Sequence, residues 1–224
     1  MSDMKELLDK LSVCVEFGKI DIKSPYPPTM RDQEGAFELT RIALENGISP
    51  WEILEEALIP AMSRVGHKFS RNEIFVPQML MAAKAMSSSM IHLRPYYLSG
   101  QTKRKGTFII GTVTGDLHDI GKNLVAMMIE GSGWEIIDLG VDVSADKFIQ
   151  SAEKHPGAVI GLSALLTTTM ENIRRTVSTL REKYPDIKIL VGGAPVTAEF
   201  CEKIGGDHYS PDPQGAVDYL KTLA

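Results

Sequence analysis

The run Phe108-Ile109-Ile110-Gly111-Thr112-Val113, followed by Thr114-Gly115-Asp116-Leu117-His118-Asp119-Ile120-Gly121-Lys122-Asn123, decides how this chain folds. Its first part is almost continuously apolar, as a strand buried on both faces requires. A glycine-bearing loop comes next, and helical spacing takes over from about 121 to 129. Downstream the alternation repeats. Apolar runs at 135–139, 158–162 and 187–191 are separated by helical segments at 144–154, 168–183 and 195–203. A weak strand at His208-Tyr209 and a helix at 214–223 close the series. Strands alternating with helices of about 10–15 residues give a parallel sheet covered on both faces. A doubly wound domain of Rossmann-like or flavodoxin-like type is therefore expected over 105–224.

Upstream of that domain the pattern is helical throughout. Leu7, Leu8, Leu11 and Val15 recur at helical spacing, and a proline-bearing connection follows at 23–28. A second helix is expected over 32–46, with Ala36, Leu39, Ala43 and Leu44 inward and Asn46-Gly47 as its stop. Ser49-Pro50-Trp51-Glu52 combines an N-cap hydroxyl, a first-turn proline and a capping-box glutamate. Ile53, Leu54, Ala57, Leu58, Ala61, Met62 and Val65 supply the apolar face of that third helix, and Pro60 should kink it. A fourth helix starts near Val76-Pro77 and carries Met79, Leu80, Ala83, Met86, Met90 and Leu93; residues 96–101 end the bundle. The fold class is thus α + α/β: a four-helix bundle over 1–98 and the α/β domain over 105–224.

Composition narrows the function. Lys and Arg number 24 against 29 Asp and Glu, a formal charge of −5, and Lys103-Arg104-Lys105 is too short for a basic patch. A nucleic-acid or anionic-membrane binder is not expected. No apolar run reaches the ~20 residues of a membrane span. The start Met1-Ser2-Asp3-Met4-Lys5-Glu6 lacks the form of a signal peptide. Cys14 and Cys201 stand far apart without C-x-x-C spacing, so neither a disulfide framework nor a structural zinc is expected. A reduced cytoplasmic protein is the resulting expectation.

In open parallel sheets ligands bind beyond the carboxyl ends of the strands, so the loop after the first strand is the place for chemistry. It is neither the G-x-G-x-x-G fingerprint nor a Walker loop. It offers one histidine flanked by carboxylates. Asp116 is open to reading as a helix N-cap, with His118 at a helix start. The pair equally fits a metal-ligand imidazole held by a carboxylate. One histidine without thiolates cannot close a zinc site, so any metal would bring most of its ligands with it, as in a macrocycle. His67, His92, His155 and His208 lack partners at ligand spacing and read as structural or solvated.

Asp116-x-His118-x-x-Gly121 resembles the D-x-H-x-x-G signature of cobalamin-binding domains. Ser163-Ala164-Leu165 matches that family's S-x-L after the third strand, and Gly192-Gly193 its G-G after the fourth. Phe75-Val76-Pro77-Gln78-Met79-Leu80 is similar to the helical cap of methionine synthase and of corrinoid proteins in methyltransferase systems. The resemblance covers nearly the whole chain. It implies a cobalamin, methylcobalamin or related corrinoid, whose cobalt takes His118 as axial ligand after its own base leaves. Asp116 would hold His118 and tune its protonation. Asp119, Ile120 and Gly121 would line the cofactor along the same motif. Ser163, Leu165, Thr167, Gly192 and Gly193 would serve the buried nucleotide tail, with the glycines allowing close approach. Phe75 would shield the upper face. Met79 is open to the same shielding role, with core the weightier reading for a methionine at helical spacing, and Lys122 reads as either a phosphate contact or a partner of Asp119.

The same resemblance implies a methyl carrier rather than a complete enzyme. A substrate:corrinoid methyltransferase would load Co(I), and a second methyltransferase would pass the methyl from Co(III) to tetrahydrofolate or coenzyme M. A reductive activator would rescue Co(II). Methanol, methylamines, betaines and methoxylated aromatics are donors of similar proteins, and nothing in the sequence selects one. The alternative is a cobalamin-dependent sensor or regulator, for which the chain offers no clear output element. The small subunit of an adenosylcobalamin mutase is a third option, and the helical first hundred residues count against it.

Overall fold

The computed structural model describes residues 2–98 and 104–223. They form two compact units: one takes the chain up to 104 together with 131–133, the other 105–130 and the chain from 134 on. The expected end of the bundle at 96–101, the connection at 98–105 and Lys103 fall partly or wholly outside the described residues.

The first unit is helical. Helix α1 (Ser2–Phe17) packs against α2 (Ala36–Glu45), α4 (Ile59–Ser70) and α5 (Val76–Leu98). Its core includes Leu11, Val15, Ala43, Leu58, Met62, Met79 and Leu93, all essentially inaccessible. Glu16 of α1 receives Arg64 at 2.5 Å and Lys68 at 2.7 Å, both from α4. Two local expectations shift. Helix α2 begins at Ala36 rather than 32, because Asp32 is left-handed (φ 61°) and Gly35 caps the helix while its N–H donates to Glu38 Oε2 at 2.9 Å. The Ser49 capping box is present and opens α3 (Pro50–Glu52). That helix runs into α4 through a π-helical turn (Ile53–Leu58), in which Ile59 N–H reaches back to Leu54 O. Pro60 has no N–H to give and its ring crowds the preceding turn, so the widened turn takes up the disturbance expected of it.

The second unit is built on a five-stranded parallel sheet. Its strands are β1 (Thr107–Thr112), β2 (Glu135–Asp138), β3 (Val159–Ser163), β4 (Ile189–Gly192) and β5 (His208–Tyr209), in the order β2-β1-β3-β4-β5. Helices α6 (Ile120–Gly131), α7 (Ala145–Lys154), α8 (Met170–Lys183), α9 (Ala198–Ile204) and α10 (Pro213–Lys221) connect and follow them. Phe148, Ile109, Ile160, Val177 and Leu180 fill a core under one face of the sheet. Helix α9 starts later than expected because Thr197, in extended conformation, is its cap and accepts from Phe200 N–H. Two features place the site. The strand order reverses between β1 and β3, so the loops leaving these strands diverge and open a crevice. Register also aligns Thr112, Ser163 and Gly192 across the carboxyl edge.

Candidate functional site

The loop leaving β1 turns inward at Gly115 (φ 81°), whose N–H donates to Asp142 Oδ1 at 2.7 Å, while Asn172 of α8 donates to Thr114 O. Asp116 is thereby carried into the protein and is fully buried. It is not an N-cap, since α6 begins only at Ile120. Its Oδ1 accepts from the His118 backbone N–H at 3.1 Å and lies 2.7 Å from His118 Nδ1. Its Oδ2 accepts from Leu165 N–H at 2.7 Å, Leu166 N–H at 3.2 Å and Thr169 Oγ1 at 2.7 Å. Burial works against the charge. The Thr169 hydroxyl, the Leu165 amide and the two His118 donors outweigh it and hold the carboxyl well below the usual carboxylate range.

An ionised carboxylate only accepts, so the His118 proton facing it stands on Nδ1. A neutral imidazole held in this way turns the Nε2 lone pair away from Asp116, on a side chain that is 50% exposed. The main chain is fixed as well, because Thr112 Oγ1 donates to His118 O at 2.8 Å. Apolar side chains stand beside it in the open: Leu117 is 71% and Ile120 69% exposed, and Leu165 and Leu166 are also exposed. Asp119 and Gly121 lie on the same exposed stretch. Such an apolar surface around one nitrogen donor suits a flat, largely apolar ligand.

Ser163 ends β3 beside Gly192, and its hydroxyl has no protein hydrogen-bond partner among the described residues. Gly193 has φ +126°, and a Cβ on it would fall 1.8 Å from Ala164 O, so only glycine lets the loops after β3 and β4 meet this closely. Thr167 is exposed on the β3–α8 loop. Asp116 thus touches both His118 and Leu165, while Ser163 and Gly192 share a strand edge. Phe75 lies in the helical unit, 62% exposed, with its N–H donating to Gln78 Oε1; Met79 is core. Lys122 pairs with Asp138, not with Asp119, whose carboxylate instead receives Asn123.

Thr169 and Thr112, which grip Asp116 and His118, were not legible as functional residues. A hydroxyl ahead of a helix reads as a cap, and a threonine ending a strand reads as strand. Two of the remaining histidines are packed as structural groups, and His67 is exposed. His92 packs on Phe37, and His208 stacks on Tyr219 at 4.3 Å, where burial lowers its pKa.

Among the described residues no three His, Cys, Asp or Glu converge to hold a metal. His118, half exposed and held through Nδ1, is the group that would suit a metal bringing most of its ligands with it. Residues 106–217 match the B12 binding domain family, and 30–94 match a second B12 binding domain family. The chain is 40% identical over 194 residues to the trimethylamine corrinoid protein of Methanosarcina barkeri, covering 85% of this chain and 89% of that one. It belongs to the B12-binding corrinoid proteins.

Solved structures agree with this corrinoid protein over its length. A cobalamin-binding protein from Desulfitobacterium hafniense DCB-2 matches with a TM-score of 0.74 at 26% identity, covering 100% of both chains. The methanol:cobalamin methyltransferase complex of Methanosarcina barkeri matches with a TM-score of 0.80 at 27% identity, covering 97% of this chain and 79% of that one. The bound group is thus a cobalamin or related corrinoid with its cobalt. Among the described residues, no helix of this corrinoid protein is long and apolar enough to cross a membrane.

Proposed function

We propose that this corrinoid protein shuttles methyl groups between two separate methyltransferases, with His118 as the axial cobalt ligand. The observation that carries the proposal is the Asp116–His118 pair, because it commits the Nδ1 proton to a buried carboxylate and leaves Nε2 as the outward donor. When bound, the corrinoid supplies the methyl-transfer chemistry at its cobalt. The protein's own groups bind, orient and move protons. Asp116 fixes the imidazole plane and its tautomer. Leu117, Ile120 and Leu165 keep water from the face they cover, with Asp119 and Gly121 completing that rim. Ser163, Thr167, Gly192 and Gly193 receive the nucleotide tail along the β3–β4 edge. Phe75, exposed in the helical unit, is a further candidate cofactor contact.

Corrinoid proteins of this kind work with methyltransferases, and relatives at 37–40% identity carry the names of trimethylamine and dimethylamine corrinoid proteins. A methylated amine is accordingly the proposed donor class. The acceptor enzyme would use tetrahydrofolate or coenzyme M, and a reductive activator would restore cobalt oxidised by accident. Bundle and α/β domain would divide at the 98–105 connection, and the cytoplasm is the proposed compartment. No observation favours the sensor alternative.

Reconstitution of His118→Ala with cobalamin tests the axial role. The apo fold should persist, because the side chain is half exposed, while the visible cobalt spectrum changes and the cofactor washes out faster. A spectrum identical to the parent's at neutral pH would remove the assignment.

A further inference from the structure

Lys122 carries its charge into the protein. Its side chain is 2% exposed, and Nζ donates to Asp138 Oδ2 at 2.5 Å and to Asn123 Oδ1 at 2.7 Å. Both contacts lead back to His118. Asn123 donates from its backbone to Asp119 O at 2.7 Å and from Nδ2 to Asp119 Oδ2 at 3.1 Å, and Asp119 is peptide-bonded to His118. On the other side, Asp138 Oδ1 accepts from Gly140 N–H at 2.9 Å, and Gly140 O accepts from Thr112 N–H at 3.0 Å. Thr112 Oγ1 then donates to His118 O. The contacts close a ring running His118, Asp119, Asn123, Lys122, Asp138, Gly140, Thr112 and back.

We propose that Lys122 is a positioning residue, whose ion pair with Asp138 closes this ring and so fixes where the His118 imidazole stands beyond the end of β1. Asp116 sets the tautomer and plane of the imidazole through its carboxylate. The ring acts separately, on the His118 carbonyl and on the start of α6. Stability alone gives no reason for an ammonium here, since apolar groups of similar volume replace buried ion pairs at little or no cost. What the ammonium adds is direction: it ties the first turn of α6 to the end of β2, the strand beside β1. The inference rests on the axial role proposed for His118.

The test uses Lys122→Met, which keeps the stem without the charge, and Asp138→Asn, which keeps the partner's shape. In the full-length apo protein, the His118 and Asn123 amides, which donate to Asp116 Oδ1 and Asp119 O, should exchange hydrogen about tenfold faster in both variants, as local opening predicts, with β3 and α8 unchanged. Reconstituted with cobalamin, the variants should shift their visible spectra toward that of His118→Ala. Should Lys122→Met not fold, Asp138→Asn carries the test, its side chain being 40% exposed at the sheet edge. Parent-like exchange at His118 and Asn123, or faster exchange spread evenly over the unit, overturns the positioning role. A His118→Ala spectrum equal to the parent's would overturn the axial reading itself, a result the exchange data cannot produce.

Discussion

Replacing Asp116 with asparagine keeps the shape of the side chain and removes one charge, and the consequence can be worked out donor by donor. Five donors converge on the carboxylate, three on Oδ2 and two on Oδ1. A carboxamide has one acceptor end and one donor end. The better orientation turns its oxygen to Leu165, Leu166 and Thr169, leaving the NH2 facing His118. The imidazole can then keep a partner only by moving its proton to Nε2 and accepting at Nδ1. The His118 backbone N–H is left facing another donor, at about 1–3 kcal/mol, and the surviving bonds lose the extra strength a charged acceptor provides. Burying an amide costs less than burying a charge, so the net destabilisation should be about 3 kcal/mol at neutral pH. The pH dependence follows from the depressed folded-state pKa of Asp116. The parent's advantage is complete above the unfolded carboxyl value of about 3.9 and is lost as pH falls from there through the folded value. Urea unfolding of apo parent and Asp116→Asn should show a flat gap from about pH 5 to pH 8 that shrinks below about pH 4. NMR of the His118 ring nitrogens should report a proton on Nδ1 in the parent and on Nε2 in the variant. A gap below about 1 kcal/mol at neutral pH, or an unchanged tautomer, would refute the reasoning.

Thr169→Val removes one donor from the same carboxylate and should cost about 1.5–3 kcal/mol in urea unfolding, because the lost bond was to a charge. Gly193→Ala should destabilise the α/β unit by about 1–3 kcal/mol or more, since φ is positive and the added Cβ meets Ala164 O; thermal unfolding measures this. Gly121→Ala meets nothing within 4 Å and lies in the first turn of α6, so stability should stay level or rise slightly while corrinoid retention falls. Equal unfolding temperatures for the two alanine variants would contradict the packing seen at Gly193.

Much of the fold was legible because its signals are local. Four of the five strands appear where an apolar run was bounded by turn residues, and Ser49 and Glu52 form the capping box that their spacing requires. Boundaries slipped where a backbone angle or a cap decided, as at Asp32 and Gly35, and at Thr197. At the site, Asp116 and His118 stood out because a carboxylate two residues from a histidine can reach its ring. Thr169 did not, being 53 residues from the carboxylate it serves. Lys122 illustrates the same limit: its neighbour Asp119 was the obvious partner, yet Asp138 on β2 holds it.

From periodicity, capping chemistry and one short polar loop, the amino-acid order by itself determined a helical bundle, a parallel α/β domain and a histidine two residues from a carboxylate that could reach it. Tertiary structure alone decided which distant groups close around that pair. The order β2-β1-β3-β4-β5 sets the loop after β3 beside the loop after β1, and the end of β2 on the other side of β1. Hydrogen bonds act over about 3 Å, so strand order, and not sequence spacing, chooses the donors that a buried carboxylate finds.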